Sequence, residues 1–391
     1  MGRIKQILDF SDQKQARVAS KLTAISDDLS KLDENSDLLQ IIKDTVVMSG
    51  NALHAMNHAA ILRSLRPATA GQRFDEIHDP EADTFSWILE ESKPREPFQN
   101  AVFQQWKTWL TEGSGVFHIT GKPGSGKSTL MKLLVRHSTT RSRLEQWASA
   151  DGKQLLLSSF FFWKIGDTEQ KTMRGLLRGI LYEVIKETPE VTKMVFPEHW
   201  TPTQFATRQT RDLSLSADEV NKAFERLIHR SEVFAKFKIC LFIDGLDEFD
   251  EPVKSLSASS NDINKWAMNP NLKLCLSSRE EEPILRAFTS SQRIRLHTLT
   301  RPDVDALIHD KLVCNLKFQS LAALDTETAR RLENTISYNA EGVFLWVVLC
   351  KGSSSVGTGE GPESRLTIYE REKERKTIYK RPSSQEYGLY S

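Results

Sequence analysis

The sequence has few cysteines and no excess of either positive or negative charge, and each of these features argues against a class of protein. Four cysteines are scattered along 391 residues without a C-x-x-C pair or a Cys/His cluster, which argues against a disulfide framework and against a metal site built from those residues. Basic and acidic residues nearly balance, leaving a formal net charge of +1, whereas general nucleic-acid binders usually have a basic face. We therefore expect a protein of a reducing compartment that does not bind nucleic acid.

Long apolar runs are also missing. The longest, GVFLWVVLC at 342–350, is well short of the ~20 residues that a membrane span requires. The first residues, MGRIKQILDF, lack the apolar core of a signal peptide, and Gln6 stands where the myristoylation pattern has Ser or Thr. These features predict a soluble, cytoplasmic protein without a membrane span.

Apolar residues in the first 65 positions recur at alternating spacings of four and three, as at the a and d positions of a coiled coil. The residues concerned are Val18, Leu22, Ile25, Leu29 and Leu32. One face of a small helical bundle would produce the same pattern, so both interpretations stay open. In either case we predict a helical region suited to self-association or adaptor binding.

Strand and helix patterns alternate from about residue 74 to 300, which predicts a parallel, doubly wound sheet of the α/β class. The predicted strands cover 115–120, 155–163, 238–244, 272–278 and 293–299. A helix with a regular apolar stripe is predicted from Met173 to Ile185, and the sequence SADE at 216–219 predicts a capping box that opens another helix. The sequence TRPD at 300–303 is cap-like as well and precedes a small helical subdomain.

The stretch GKPGSGKST, from residue 121 to 129, matches the phosphate-loop pattern G-x-x-x-x-G-K-[ST]. A predicted strand precedes it and a predicted helix follows, so backbone N–H groups and the positive helix end would face an anion. Lys127 would place a cation at the β- and γ-phosphates, and Ser128 would offer a hydroxyl to Mg²⁺. A chance glycine-rich turn would lack this strand and helix. The predicted cofactor-binding residues are Gly121, Lys122, Pro123, Gly124, Ser125, Gly126, Lys127, Ser128 and Thr129.

A carboxylate ends another predicted strand, in the stretch CLFIDGLDEFDE. An unpaired carboxylate at the end of a buried strand needs a cation, so we predict that Asp244 holds Mg²⁺ through water. Asp247 and Glu248 are the candidates for orienting or deprotonating an attacking water. We assign Asp250 and Glu251 to a solvated acidic turn.

Arg279 directly follows the predicted strand 272–278. Ligands of open α/β sheets bind at the carboxyl ends of the strands, where a guanidinium can contact a γ-phosphate. A surface salt bridge with a neighbouring acid fits the same position, and position alone leaves both interpretations open.

The stretches FHITGKPGSGKSTLMKLL, LFIDGLDEFDE and LCLSSREEEPILRAF closely resemble the NACHT NTPase domains of fungal NOD-like receptors, members of the STAND class of signal-transducing ATPases. Further matching segments, such as EIHDPEADTFSWIL and AEGVFLWVVL, extend the likeness over about 76–349. The resemblance implies a switch in which ADP holds a closed monomer, ATP opens it and slow hydrolysis resets it. It also implies that Arg279 occupies the sensor-1 position.

Members of that family continue into a winged-helix segment and a sensor array of repeats, which this sequence lacks. The likeness ends at Cys350, and the residues that follow are first rich in Gly and Ser and then charged. Such a composition predicts a disordered tail and suggests a truncated gene product. We divide the chain into an N-terminal helical region (1–65), a linker and preceding segment (66–100), the NTPase domain (101–299), the helical subdomain (300–350) and the tail (351–391).

The expected cofactor is Mg²⁺ with ATP or ADP. Two Asn-Lys pairs, at 221–222 and 264–265, lack the aspartate of a guanine-reading N-K-x-D motif, which favours ATP while leaving GTP open. A turnover enzyme is a second possibility, but a P-loop kinase would need a basic lid and a nucleic-acid motor a basic surface, and the sequence has neither. The third is a non-signalling, nucleotide-binding interaction fragment. We expect a nucleotide switch with slow nucleoside-triphosphatase activity.

Overall fold

A computed structural model describes most of the chain, and the residues it covers are 20, 54–67, 72–81, 83–200, 213–250, 255–289 and 293–353. The predicted heptad positions Val18, Leu22, Ile25, Leu29 and Leu32 lie outside the described residues, as do Glu251 and most of the predicted tail. No helix in the described part combines the length and apolar character needed to cross a bilayer.

The centre of the fold is a five-stranded, fully parallel sheet with the strand order β2-β3-β4-β1-β5. The strands are Gly115–Thr120 (β1), Gln154–Phe161 (β2), Phe237–Asp244 (β3), Leu272–Ser278 (β4) and Arg293–Arg295 (β5). Thr120 pairs with Ser278 and Phe161 pairs with Asp244, so these strands end at one edge of the sheet. The predicted α/β class and parallel sheet are confirmed.

Helices cover the sheet and continue beyond it. Those before β3 are 54–65 (α1), Gln72–Glu76 (α2), Ser86–Leu89 (α3), Pro97–Thr111 (α4), Lys127–Arg136 (α5), Ser138–Ser149 (α6), Met173–Glu187 (α7), Glu190–Val195 (α8), Ala217–His229 (α9) and Ser231–Lys236 (α10). Those after β3 are Leu256–Trp266 (α11), Glu282–Ala287 (α12), Leu296–Leu299 (α13), Arg301–Ile308 (α14), Leu316–Leu324 (α15), Thr326–Ala340 (α16) and Phe344–Ser353 (α17). Short 3₁₀ turns lie at Pro197–Trp200 and Leu246–Glu248, and a π-turn at His309–Val313.

Apolar clusters lie on both faces of the sheet, because successive strand residues point to opposite sides. On β3, Ile239, Leu241 and Ile243 belong to one cluster, with α1, α7, α9 and α11, whereas Cys240 and Phe242 belong to the other, with α4, α5 and α6. All eight residues of β3 are buried. A doubly covered parallel strand of this kind reads as a continuous apolar run, which is why the sequence predicted it.

Two predicted local signals are realised in the structure. The apolar stripe between Met173 and Ile185 is buried along α7. In the capping box of α9, the Glu219 N–H donates to Ser216 Oγ (3.2 Å) and the Ser216 N–H donates to Glu219 Oε2 (2.9 Å). Both signals depend on residues within a single helix, which a local pattern can capture.

Two predicted features are wrong. The strand predicted over 293–299 ends at Arg295, and Leu296–Leu299 form a helical turn. Thr300 does not cap α14; its hydroxyl lies within hydrogen-bonding distance of the carbonyls of Leu296 (3.2 Å) and Gly342 (2.8 Å). Asp303 instead accepts hydrogen bonds from the backbone of Phe85 (3.2 Å) and from Trp87 Nε1 (3.0 Å). Contacts between distant segments replace the local cap.

The helices after residue 300 have a small core of their own. Its buried residues are Val304, Leu307, Ile308, Ala340 and Val347. Phe344 packs against this core and also against the sheet-covering cluster that contains α5. The start of α17 therefore joins the helical subdomain to the side of the sheet that carries the glycine-rich loop.

Candidate nucleotide site at the phosphate loop

The glycine-rich loop connects the end of β1 to the start of α5, as its sequence predicted. Gly124 (φ 74°) and Gly126 (φ 85°) adopt left-handed backbone conformations, which residues with a Cβ rarely adopt. α5 begins at Lys127 without a side-chain cap, so the N–H groups of its first turn face the loop. Ser125 lies in the loop with a fully buried hydroxyl that has no partner among the described residues. This loop has the backbone arrangement of an anion site.

Lys127 extends back over the loop. Its ammonium donates to the carbonyls of Gly121 (2.9 Å) and Lys122 (3.1 Å). An ammonium has three N–H donors, so these two bonds leave one for a ligand. Burial lowers the pKa of Lys127, while the carboxylates of Asp247 and Asp244 raise it. The nearby acids thus support the charged form that a phosphate would need.

Asp244 ends β3 and is buried, with 1% of its surface exposed. Ser277 donates a hydrogen bond to its Oδ1, whereas Oδ2 is buried and has no hydrogen-bond partner in the described part of the chain. Burial raises the pKa of Asp244; the hydroxyls of Ser128 and Ser277 and the charge of Lys127 act in the opposite direction. A buried carboxylate oxygen without a partner is costly unless a cation approaches it.

The chemistry of this pair fits a hydrated Mg²⁺. Magnesium prefers oxygen ligands, keeps several waters and is often held by one or two protein groups plus substrate phosphates. Ser128 and Asp244 supply a hydroxyl and a carboxylate oxygen of this type. Among the described residues no group of three or more His, Cys, Asp and Glu is placed to hold a metal ion by itself, so phosphate and water would have to complete the coordination.

The other three predicted site residues lie at the same edge and pair with different partners. The Arg279 backbone N–H donates to Asp247 Oδ1 (2.8 Å), and its side-chain Nε lies 3.1 Å from Asp247 Oδ2. The salt bridge considered for Arg279 from sequence is therefore present, with a side chain 51% exposed against 6% for Asp247. Glu248 accepts a hydrogen bond at Oε2 from the backbone N–H of Lys164 (3.0 Å). Both carboxylate oxygens of Asp247 therefore contact Arg279, whereas the described hydrogen bond of Glu248 uses only Oε2.

The outer side of the phosphate loop is covered by the start of α17, a contact that sequence reasoning missed. The Leu345 N–H donates to the Gly124 carbonyl (3.2 Å), and Glu341 forms an ion pair with Lys122. A Cβ built on Gly124 would lie 2.5 Å from Leu345 Cβ. The apolar run GVFLWVVLC indicates that this segment packs against another part of the protein, but it does not identify the phosphate loop as the partner surface.

An aromatic contact continues this cover over the start of α5. The rings of Phe85 and Phe344 meet edge to face, with centroids 5.6 Å apart. A Cβ on Gly126 would lie 2.8 Å from Phe85 Cζ. Phe85 has a positive φ of 66°, a conformation that is uncommon for residues other than glycine and that concentrates at functional sites. The segment before the phosphate loop and the segment after α16 therefore meet at the loop.

One family model matches a stretch of the chain that includes the phosphate loop. Residues 83–279, half of the chain, match the family described as Nephrocystin 3, N-terminal. That range begins two residues before Phe85 and ends at Arg279, so it contains the loop and all three acidic residues. No curated protein matches the chain.

Three solved structures are similar at low identity. Cdc6p from Pyrobaculum aerophilum is 15% identical over 57% of this chain and 52% of its own, with a TM-score of 0.29, so the chain spans about half of that protein. The Aeropyrum pernix ORC1 protein, solved in complex with DNA, is 15% identical over 76% of this chain and 72% of its own, with a TM-score of 0.32. The Aeropyrum pernix ORC2 protein, solved as ADPNP-ADP complexes, is 16% identical over 78% and 74%, with a TM-score of 0.33.

These three structural likenesses are weak, with TM-scores from 0.29 to 0.33. The strand–loop–helix geometry, the carboxylate at the end of β3 and the family match rest on independent observations. The match shows the family, and the geometry of the sheet and loop shows the fold. The chain belongs to the Nephrocystin 3, N-terminal family and has the α/β fold of a P-loop NTPase.

Proposed function

We propose that the chain is a nucleotide-dependent switch that binds ATP or ADP with Mg²⁺ and hydrolyses ATP slowly. The observation that carries this proposal is that the phosphate loop contacts both the candidate nucleotide site and α17. Its inner side holds the ammonium of Lys127 and the first turn of α5, while the outer carbonyl of Gly124 accepts a hydrogen bond from Leu345. A change of phosphate occupancy that moves the loop would therefore also change the docking of α17.

Mg²⁺ would be held by Ser128 and by Asp244 through water. When bound, it neutralises phosphate charge and orients the phosphates for an attacking water. Glu248 is the better candidate for orienting that water, because Asp247 already binds Arg279 with both oxygens. Arg279 is the candidate for contacting a γ-phosphate, because its side chain lies half exposed at the carboxyl edge of the sheet.

The signalling part of this proposal comes from the resemblance to fungal NOD-like receptors. In such a protein the N-terminal helical region would self-associate or bind an adaptor once ATP has replaced ADP. The competing candidate, a nucleotide-binding fragment without signalling, shares the same site but requires no response of α17. GTP is a further candidate nucleotide.

The first test measures nucleotide affinity with a fluorescent ATP analogue. Lys127→Ala should weaken binding about ten- to a hundredfold, because a charge-assisted contact contributes about 1.5–3 kcal/mol. Lys186→Ala, which removes an exposed lysine of α7, serves as the matched control and should bind like the wild type. Equal affinities of the Lys127 variant and the wild type would refute the site.

The second measurement separates a switch from a passive fragment. Hydrogen exchange of the Leu345 amide reports directly on its bond to Gly124. We expect different exchange rates in ADP and in a non-hydrolysable ATP analogue. Identical rates, with nucleotide binding intact, would favour the fragment.

A further inference from the structure

A chain of hydrogen bonds links the interior of the sheet to Arg279. His118 lies on β1 with no exposed surface, and its Nε2 is 2.9 Å from the hydroxyl oxygen of Ser278 at the end of β4. The Ser278 hydroxyl in turn donates to the carbonyl of Arg279 (2.8 Å). A buried ring on one strand therefore contacts the backbone of the residue proposed to meet a γ-phosphate.

The network assigns the tautomer of His118. A serine hydroxyl has a single proton, and here that proton goes to the Arg279 carbonyl, so Ser278 Oγ must accept from Nε2–H of the ring. The other nitrogen, Nδ1, then has a lone pair only, and it is buried without a partner in the part of the chain that the structure describes. Burial lowers the pKa of His118 to about 3, with the charge of Arg293 acting in the same direction. The ring therefore stays neutral and keeps this tautomer at neutral pH.

Packing alone gives no reason for a histidine at this position. Phe288 meets the ring edge to face, with centroids 5.3 Å apart, which an apolar side chain would satisfy equally well. An apolar residue would also avoid the unpaired nitrogen, which is unfavourable in the interior. The hydrogen bond to Ser278 is thus the property that distinguishes the ring from a leucine side chain.

The backbone of Arg279 is held on both sides. Asp247 accepts a hydrogen bond from its N–H (2.8 Å), and Ser278 donates one to its carbonyl. Fixing both peptide groups restricts the backbone dihedrals of Arg279 and hence the direction in which its side chain leaves the sheet.

We propose that His118 is a positioning residue that acts through Ser278 to hold Arg279 in the orientation that distinguishes ATP from ADP. This proposal rests on the proposed nucleotide site. It adds two residues that act through the backbone of Arg279 and determine how well the site senses the γ-phosphate.

The test compares affinities for ADP and for a non-hydrolysable ATP analogue in His118→Leu, His118→Gln, Ser278→Ala and Arg279→Ala. Arg279→Ala is the reference variant: it shows in which direction, and by how much, the ratio of ATP-analogue to ADP affinity changes when the guanidinium is lost. His118→Leu and Ser278→Ala should change the ratio of the two affinities in the same direction, by about two- to thirtyfold, while ADP affinity stays close to that of the wild type. His118→Gln keeps an N–H donor and should retain most of the discrimination.

A purely structural role for His118 would lower the melting temperature without changing the ratio, and that result would overturn the proposal. An unchanged ratio in Ser278→Ala would overturn it too, and this variant carries the test if His118→Leu does not fold. Lys127→Ala separates a failure of the proposed nucleotide site from a failure of the role of His118. If this variant binds nucleotide like the wild type, the proposed site itself is wrong. If it loses binding while the other ratios stay constant, only the role of His118 is wrong.

Discussion

Asp244 illustrates how a single side chain at the end of a strand gains a function from burial. It is 1% exposed, one oxygen is bonded to Ser277 and the other has no partner among the described residues. Burial raises the pKa of this carboxyl, so the ionised form is unfavourable until a cation is near. The residue is therefore suited to binding a metal at the expense of stability.

Asp244→Asn should remove the dependence of nucleotide affinity on Mg²⁺. The amide has nearly the same shape but no charge, so Mg²⁺ should no longer tighten binding. In the nucleotide-free protein the free energy of unfolding should stay constant or rise, because a buried charge has been removed. Titrations with and without Mg²⁺ and urea unfolding check both parts. A large loss of stability with intact Mg²⁺ dependence would contradict the assignment.

Glu248→Gln should slow ATP hydrolysis and leave ATP binding intact. A positioned acid or base contributes about a hundred- to ten-thousandfold to a rate, and Glu248 retains one carboxylate oxygen for this task. Asp247→Asn should instead loosen Arg279, whose backbone and side chain both bind Asp247. Single-turnover hydrolysis and ATP affinity, measured on both variants, separate the two roles. Wild-type hydrolysis rates in both variants would show that neither acid is catalytic.

At the scale of the element, the partly buried carboxyl group of Asp303 joins α3 to α14. Asp303, in the first turn of α14, accepts hydrogen bonds from the backbone of Phe85 and from Trp87 Nε1. Burial raises the pKa of Asp303 from 3.8 to about 6, although both hydrogen bonds act in the opposite direction. We therefore expect the contact between the two segments to be sensitive to pH.

The sign of this effect follows from proton binding. Because the folded state keeps the proton of Asp303 up to about pH 6 and the unfolded state loses it near pH 3.8, folding is favoured at low pH and loses that contribution as the pH rises through this window. We expect wild type to lose about 1–3 kcal/mol of stability between pH 4 and 6 relative to Asp303→Asn, in which this group does not titrate. Urea unfolding at several pH values measures the difference. A constant difference would contradict the raised pKa.

The sequence predicted the elements better than it predicted their contacts. Strands such as β1 and β4 have the predicted bounds, because an apolar run ending in polar residues is a local signal. The phosphate loop and the carboxylate of Asp244 were recognisable for the same reason. The partners of Asp303 and His118 were not, since they lie 218 and 160 positions away and hydrogen bonds over such separations leave no periodic pattern.

At the scale of the whole molecule, the helical subdomain contacts the phosphate loop through charge as well as packing. Lys122 and Glu341 form an ion pair whose side chains are 41% and 55% exposed. A ligand shifts an equilibrium between two states only by binding them differently, so this pair can contribute to a switch only if it breaks in one state. Because Lys122 also belongs to the phosphate loop, the strength of the pair is measured in the nucleotide-free protein.

Charge reversal at either end of this ion pair should loosen α17, and reversal at both ends should restore it. Lys122→Glu and Glu341→Lys should each raise the exchange rate of the Leu345 amide, whereas the double variant should return towards the wild type, with a coupling of about 0.2–1 kcal/mol for an exposed pair. Added salt should reduce the coupling. Additive effects in the double variant would mean that the ion pair does not hold the helix.

The tight approach of Leu345 to Gly124 has a consequence for the evolution of the family. Position 124 is a variable position of the phosphate-loop pattern, yet in this chain a Cβ there would lie 2.5 Å from Leu345 Cβ. A relative that carries a side chain at position 124 must therefore have glycine at position 345 or a displaced α17. Positions 124 and 345 should therefore covary across homologous sequences. The residue at position 124, which is usually explained by phosphate binding alone, would then also depend on how the helical subdomain docks on the loop.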